Sequence, residues 1–88
     1  MKISSKGEYG IRALFHLALH YGEGPIQSKE IAEEEAIPEN YLDQLLIILR
    51  KAGLVKSRRG PQGGHFLARP PAQISLGEAL AVLEGSTA

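Results

Sequence analysis

Asn40, Tyr41, Asp43 and Gln44 bring two amides, a phenol and a carboxylate together within five residues. An amide carries a donor and an acceptor side by side and can bond the adenine edge in pairs. A carboxylate accepts from the cytosine amino group. This is the chemistry of recognising base edges, and it breaks no covalent bond. A second group follows at Arg59, Gly60, Pro61, Gln62, Gly63 and Gly64. Its glycines remove side chains and permit positive φ, so backbone can approach a narrow groove. Arg59 beside such a turn suits the place where minor-groove potential is most negative. Lys56, Arg58 and Arg69 flank the turn and would track phosphates, setting salt dependence more than sequence preference. The plain alternative is an ordinary tight hairpin with a solvated basic strand.

The elements that must hold these groups can be read from spacing. Over residues 38–53, Leu42, Leu45, Leu46 and Leu49 fall at i, i+3, i+4 and i+7, one face of an α-helix. Pro38 suits its first turn, and Gly53 suits the left-handed position after it, behind Arg50 and Lys51. Ser5 and Glu8 match a capping box and predict a helix to about Tyr21. Its apolar set, Ile11, Leu14, Phe15, Ala18 and Leu19, suggests burial on more than one side. Gly10 inside it costs roughly 1 kcal/mol against alanine, which a close helix crossing would explain. Gly22, Gly24 and Pro25 break the chain, and residues 25–27 could pair as one short strand. Ser28 is a candidate N-cap for a short helix over 29–35 that buries Ile31, Ala32 and Ala36. The two helices, separated by a few residues, read as helix-turn-helix, with Ser28 and Lys29 joining the candidate DNA contacts.

Residues 54–59 and 65–69, around the GPQGG turn, read as a β-hairpin. Ser75 and Glu78 form another capping-box match, with a last helix over 76–84. Helix, short strand, helix, helix, hairpin, helix is the order of a winged helix-turn-helix: mainly α, one small hairpin, a single domain over 1–88.

Composition bounds the rest. The chain has no cysteine, which excludes disulfides, thiolate metal sites and cysteine-held iron–sulfur clusters in these residues. No apolar run approaches a membrane span, and MKISSKGEYG lacks a signal peptide's apolar stretch, so a cytoplasmic protein is expected. Formal net charge is zero, but charge is segregated. Residues 50–69 hold six Lys or Arg and no acid, while the charges of residues 30–43 are all acidic. His16 and His20 could face one metal, yet they supply two nitrogens with no third ligand in obvious spacing. A half-buried histidine pair and no metal is the expectation. Glu33, Glu34 and Glu35 read as a solvated turn. Tyr41 suits packing as well as a DNA contact. For Ile47, both a subunit contact and a thymine-methyl contact remain open. No nucleophile motif, HExxH or phosphate loop is present, so an enzyme is not expected. A winged helix that binds proteins rather than DNA is the competing reading.

SSKGEYGIRALFHLALH, SKEIAEEEAIPENYLDQLLIILRKAGLVKSRRGPQGGHFLARPP and ISLGEAL resemble the Rrf-two family of bacterial winged-helix transcription regulators. The resemblance covers essentially the whole chain and is most specific at YLDQLL followed by LRKAGLVKSRRGPQGG. It implies a sequence-specific DNA-binding regulator, a repressor or activator, working as a homodimer on an operator. By that likeness the helix with Asn40, Tyr41, Asp43 and Gln44 enters the major groove. The wing, Arg59 to Gly64, reaches the minor groove and phosphates. The family's sensing members carry a longer C-terminal part with a dimerising helix and cluster cysteines, so weak dimerisation is expected of these 88 residues. Pro38, Gln62 and His65 depart from the family's usual serine, glycine and aromatic residue.

Overall fold

In the computed structural model, residues 3–85 are described; residues 1, 2 and 86–88, the ends of the expected domain, lie outside them. Helix α1 (Ser5–Leu19) is capped one residue earlier than expected. Ser4, not Ser5, is the N-cap, and its Oγ accepts from the Gly7 N–H at 3.1 Å. Ser5 is already helical, so Glu8 falls one place beyond the position a capping box requires. The helix also ends at Leu19 rather than Tyr21. Its buried residues are Gly7, Gly10, Ala13, Leu14, His16 and Leu17. Phe15 and Leu19, expected in the core, are 63% and 64% exposed, because they lie round the helix from the Ala13–Leu14–Leu17 stripe. Gly10 has the predicted cause: a Cβ there would lie 2.5 Å from both Leu83 methyls.

Helix α2 (Ser28–Glu35) starts with Ser28 inside it. Gln27 is the N-cap, so the serine hydroxyl does not cap and instead points to Glu39 Oε2 at 3.5 Å. Its buried residues are Ile31 and Ala32. Ala36, expected in the core, is exposed at the left-handed C-cap, φ 55°. The chain turns there and sends Ile37 inward, its N–H donating to the Ala32 carbonyl at 3.0 Å.

Helix α3 (Glu39–Lys51) follows with Pro38 as N-cap rather than first-turn residue. Leu42, Leu45, Leu46 and Leu49 are each at most 1% exposed, as the spacing requires. Each such leucine contributes roughly 1.5–3 kcal/mol by burial. Gly53, φ 80°, closes the helix: its N–H donates to Arg50 O and that of Leu54 to Leu49 O, both at 3.0 Å. These are the paired bonds of a Schellman motif, and Leu49 and Leu54 are both buried beside them.

Strands β1 (Val55–Arg58) and β2 (Gly64–Leu67) pair antiparallel, Val55 opposite Leu67 and Arg58 opposite Gly64. Only Val55 of β1 is buried; Lys56, Ser57 and Arg58 are exposed, so the strand leaves the body of the protein. Ile26 adds the predicted third strand as one bridge to His65, with N···O distances of 2.9 and 2.7 Å. After a 3-10 turn (Pro71–Gln73), helix α4 (Leu76–Gly85) begins at the Ser75 cap, whose Oγ accepts from the Glu78 N–H at 2.9 Å. Ala79 and Leu83 return it to the core. No described helix is long and apolar enough to cross a membrane.

Candidate nucleic-acid interface

The face of α3 opposite its leucines is a continuous exposed stripe: Asn40, Asp43, Gln44, Ile47, Arg50 and Lys51. Their spacing, three or four apart throughout, is that of one helix face. Spacing thus brings Ile47, left open by the sequence, into the middle of the polar row, 41% exposed. Tyr41 sits at the edge of this face. It is half-buried, its ring meeting Tyr9 edge-on at 5.7 Å between centroids. Packing is therefore established for Tyr41.

The hairpin adjoins this stripe. Arg50 Nη1 donates to Ser57 Oγ at 3.3 Å, tying the end of α3 to β1. His65 of β2 carries a pKa below its ordinary value. Burial disfavours its charge first, then the Arg50 guanidinium repels it, while Asp43 acts in the opposite sense. One imidazole on the hairpin therefore feels two charges of the α3 stripe, Arg50 and Asp43. The α3 stripe and the base of the hairpin are neighbours, tied through Arg50 and Ser57.

Lys56, Arg58, Arg59, Gly60 and Pro61 are all exposed. The Arg58 guanidinium lies 5.9 Å from the Phe66 ring centroid, which holds its stem along the ribbon. The other glycines have structural reasons. Gly63 is buried against the Arg58 carbonyl, and the half-buried Gly64 lies against the Ile26 backbone. Gly60 takes φ 104° at the tip. Arg69, expected to track phosphates, bonds Glu78 Oε2 at 2.9 Å and the Gln73 carbonyl at 3.3 Å, bracing α4. Ser28 is half-buried beside Glu39, and Lys29 is exposed on the first turn of α2.

The glutamates of α2 are not simply a solvated turn. Glu35 is half-buried, bonding His16 Nδ1 at 2.8 Å and taking a bond from Arg12 on its backbone carbonyl. The histidines do form the expected half-buried pair, their ring centroids 5.0 Å apart, but the two rings have different partners. His16 is buried, whereas His20 reaches Glu23 at 3.1 Å, a bond that raises its pKa. Sequence separation hid this, since His16 and Glu35 meet only when α1 and α2 pack.

A thiolate-held iron–sulfur cluster does not fit this donor set, because the chain has no cysteine.

The geometry agrees with solved structures. The T. potens IscR structure is 56% identical, with a TM-score of 0.91 over 100% of this chain and 64% of that one. The structure of CymR, described as the global cysteine regulator of B. subtilis, is 48% identical. Its TM-score is 0.93 over 97% of this chain and 66% of that one. Among curated relatives, the HTH-type transcriptional regulator CymR of Bacillus subtilis is 49% identical over 97% of this chain and 62% of its own length. IscR of Aliivibrio salmonicida is 44% identical over 98% and 51%. The chain thus spans between about half and two thirds of the length of these four proteins. Residues 3–88 match the family described as Rrf2, iron-dependent transcriptional regulator. With that match and this winged helix-turn-helix fold, the chain belongs to the Rrf2 family.

Proposed function

We infer that this chain is the DNA-binding part of a bacterial transcription regulator, inserting α3 into the major groove and the glycine wing into the adjacent minor groove. The observation that carries this reading is the exposed α3 stripe beside an exposed basic ribbon. Asn40, Asp43, Gln44 and Ile47 meet base edges; Lys56, Arg58 and Arg59 meet phosphates and the minor groove, with Gly60 and Pro61 at the tip. Ser28 and Lys29 touch the backbone from the start of α2, where N–H groups and dipole favour phosphate. The role is repression by occupying an operator, in the cytoplasm, with no catalytic step.

Specific operator affinity usually needs two half-sites held by a dimer. Phe15, Leu19 and Leu76 are large exposed apolar side chains, and Phe15 and Leu76 line a hollow with Ile11 and Ile74. That face suits association with a second copy. These residues alone are expected to dimerise weakly and to bind a half-site at micromolar strength or worse, about the level of mainly non-specific contacts. Appending a dimerising helix restores tight two-fold binding by making the second event intramolecular.

Genomic binding selection with the purified chain tests the whole reading. A recurrent half-site motif, retained at low salt and released as salt rises, is the expected outcome. Recovery of protein partners with no enriched DNA would instead support an interaction module, the reading that zero net charge and the acidic α2 favour.

A further inference from the structure

His16 is 4% exposed, yet its Nε2 atom has no hydrogen-bond partner. A buried imidazole nitrogen left open costs free energy unless it serves another purpose. That atom faces acid: Glu34 Oε2 stands 3.6 Å away, outside hydrogen-bond reach but within reach of a shared cation. Glu30, one turn earlier on α2, brings its carboxylate to the same place. One ligand atom each from His16, Glu30 and Glu34 lies within 4.8 Å of the others. Both glutamates are exposed and their long side chains can close that span to coordination distance.

The opposite side of the ring is already prepared. Glu35 Oε2 is 2.8 Å from His16 Nδ1, so in the neutral ring an Nδ1–H that donates to this carboxylate leaves the Nε2 lone pair for a cation. Glu35 is itself held by Arg12, whose Nε lies 3.9 Å from Oε1 and whose guanidinium also bonds the Glu35 backbone carbonyl. A carboxylate behind the imidazole is the usual outer support of a histidine metal ligand.

We propose that His16 Nε2, Glu30 and Glu34 bind a first-row divalent transition cation that clamps α2 to α1. One nitrogen and two carboxylate oxygens with open positions suit zinc-type or manganese-type ions, and do not suit Mg²⁺, which prefers oxygen and water. The site lies outside the α3 stripe and the hairpin and does not depend on the DNA-binding reading. It uses side chains that the DNA-facing surface leaves unemployed.

Calorimetric titration of the untagged full chain with Zn²⁺, alongside melting curves with Zn²⁺ or Mg²⁺, tests it. The expected result is one saturable Zn²⁺ site per chain and a melting temperature raised by about 3 °C or more, with no shift from Mg²⁺. Glu30→Gln and Glu34→Gln, both at exposed positions, should each weaken Zn²⁺ binding at least about tenfold, and the double variant should lose the melting shift. His20→Gln should bind as the parent does. No saturable Zn²⁺ binding below about 1 mM would overturn the proposal. So would undiminished binding in the double glutamine variant, or binding lost only in His20→Gln.

Discussion

Gly64 lies so close to Ile26 that a Cβ on it would stand 2.5 Å from the Ile26 carbonyl carbon and oxygen. The two backbones meet at the bridge between Ile26 and His65, which joins the hairpin to the segment entering α2. The wing is therefore anchored to the helix-turn-helix through a contact only a glycine permits. Gly64→Ala must push this bridge apart, and its backbone, φ 150°, adds strain. A stability loss of about 1–3 kcal/mol is expected, with weaker DNA binding because the wing shifts. Thermal melting and an operator titration check this. Parent-like values in both would show that the bridge does not set the wing.

Arg59 and Arg69 should separate cleanly. Arg59→Ala, at an exposed tip residue, is expected to weaken specific DNA binding by roughly 1–3 kcal/mol with little change in melting temperature. Arg69→Ala breaks an ion pair with Glu78 in which both side chains are partly exposed, costing less than about 1 kcal/mol of stability. Its DNA affinity should hardly move. Equal affinity losses in the two would remove the distinction between wing and brace.

The α3 stripe makes a prediction about preference rather than strength. Asp43→Ala and Gln44→Ala should change which bases are selected from a randomised operator library. Ile47→Ala should reduce preference for thymine where the methyl group meets it. Lys56→Ala should lower affinity for all sequences and flatten the salt slope by about one unit. Uniform weakening by all four would mean that α3 does not read bases.

His65 gives a pH dependence with a definite sign. Burial and Arg50 lower its folded pKa, so below about pH 6.5 the unfolded chain takes up a proton that the folded chain resists. Its stabilising contribution is complete above that pH and is lost as pH falls through the folded value. His20, whose pKa is raised, acts in the opposite sense, adding stability that fades as pH rises. Comparing His65→Gln with the parent cancels that common term. The variant should lose less stability than the parent between about pH 6.5 and 5. Parallel melting curves across this range would exclude the effect.

Local periodicity settled the parts of this protein that depend on neighbours in the chain. The leucine stripe of α3, the Gly53 stop, the Ser75 cap and the glycine turn each follow from residues a few positions apart, where helix and turn geometry leave little choice. The order of elements, and hence the winged helix, followed from these. The first cap was misplaced by one residue because Ser4 and Ser5 are adjacent and chemically identical; only the backbone shows which remains outside the helix. Burial of Phe15 and Leu19 was misjudged because a helix with apolar residues on several sides does not say which side the partner helices take. The brace from Arg69 to Glu78 was not legible because the two lie nine residues apart across a turn. The meeting of His16 with Glu30, Glu34 and Glu35, and the seating of Gly64 on Ile26, depend on how α1, α2 and the hairpin pack. Such contacts join residues far apart in sequence, and only the tertiary structure decides them.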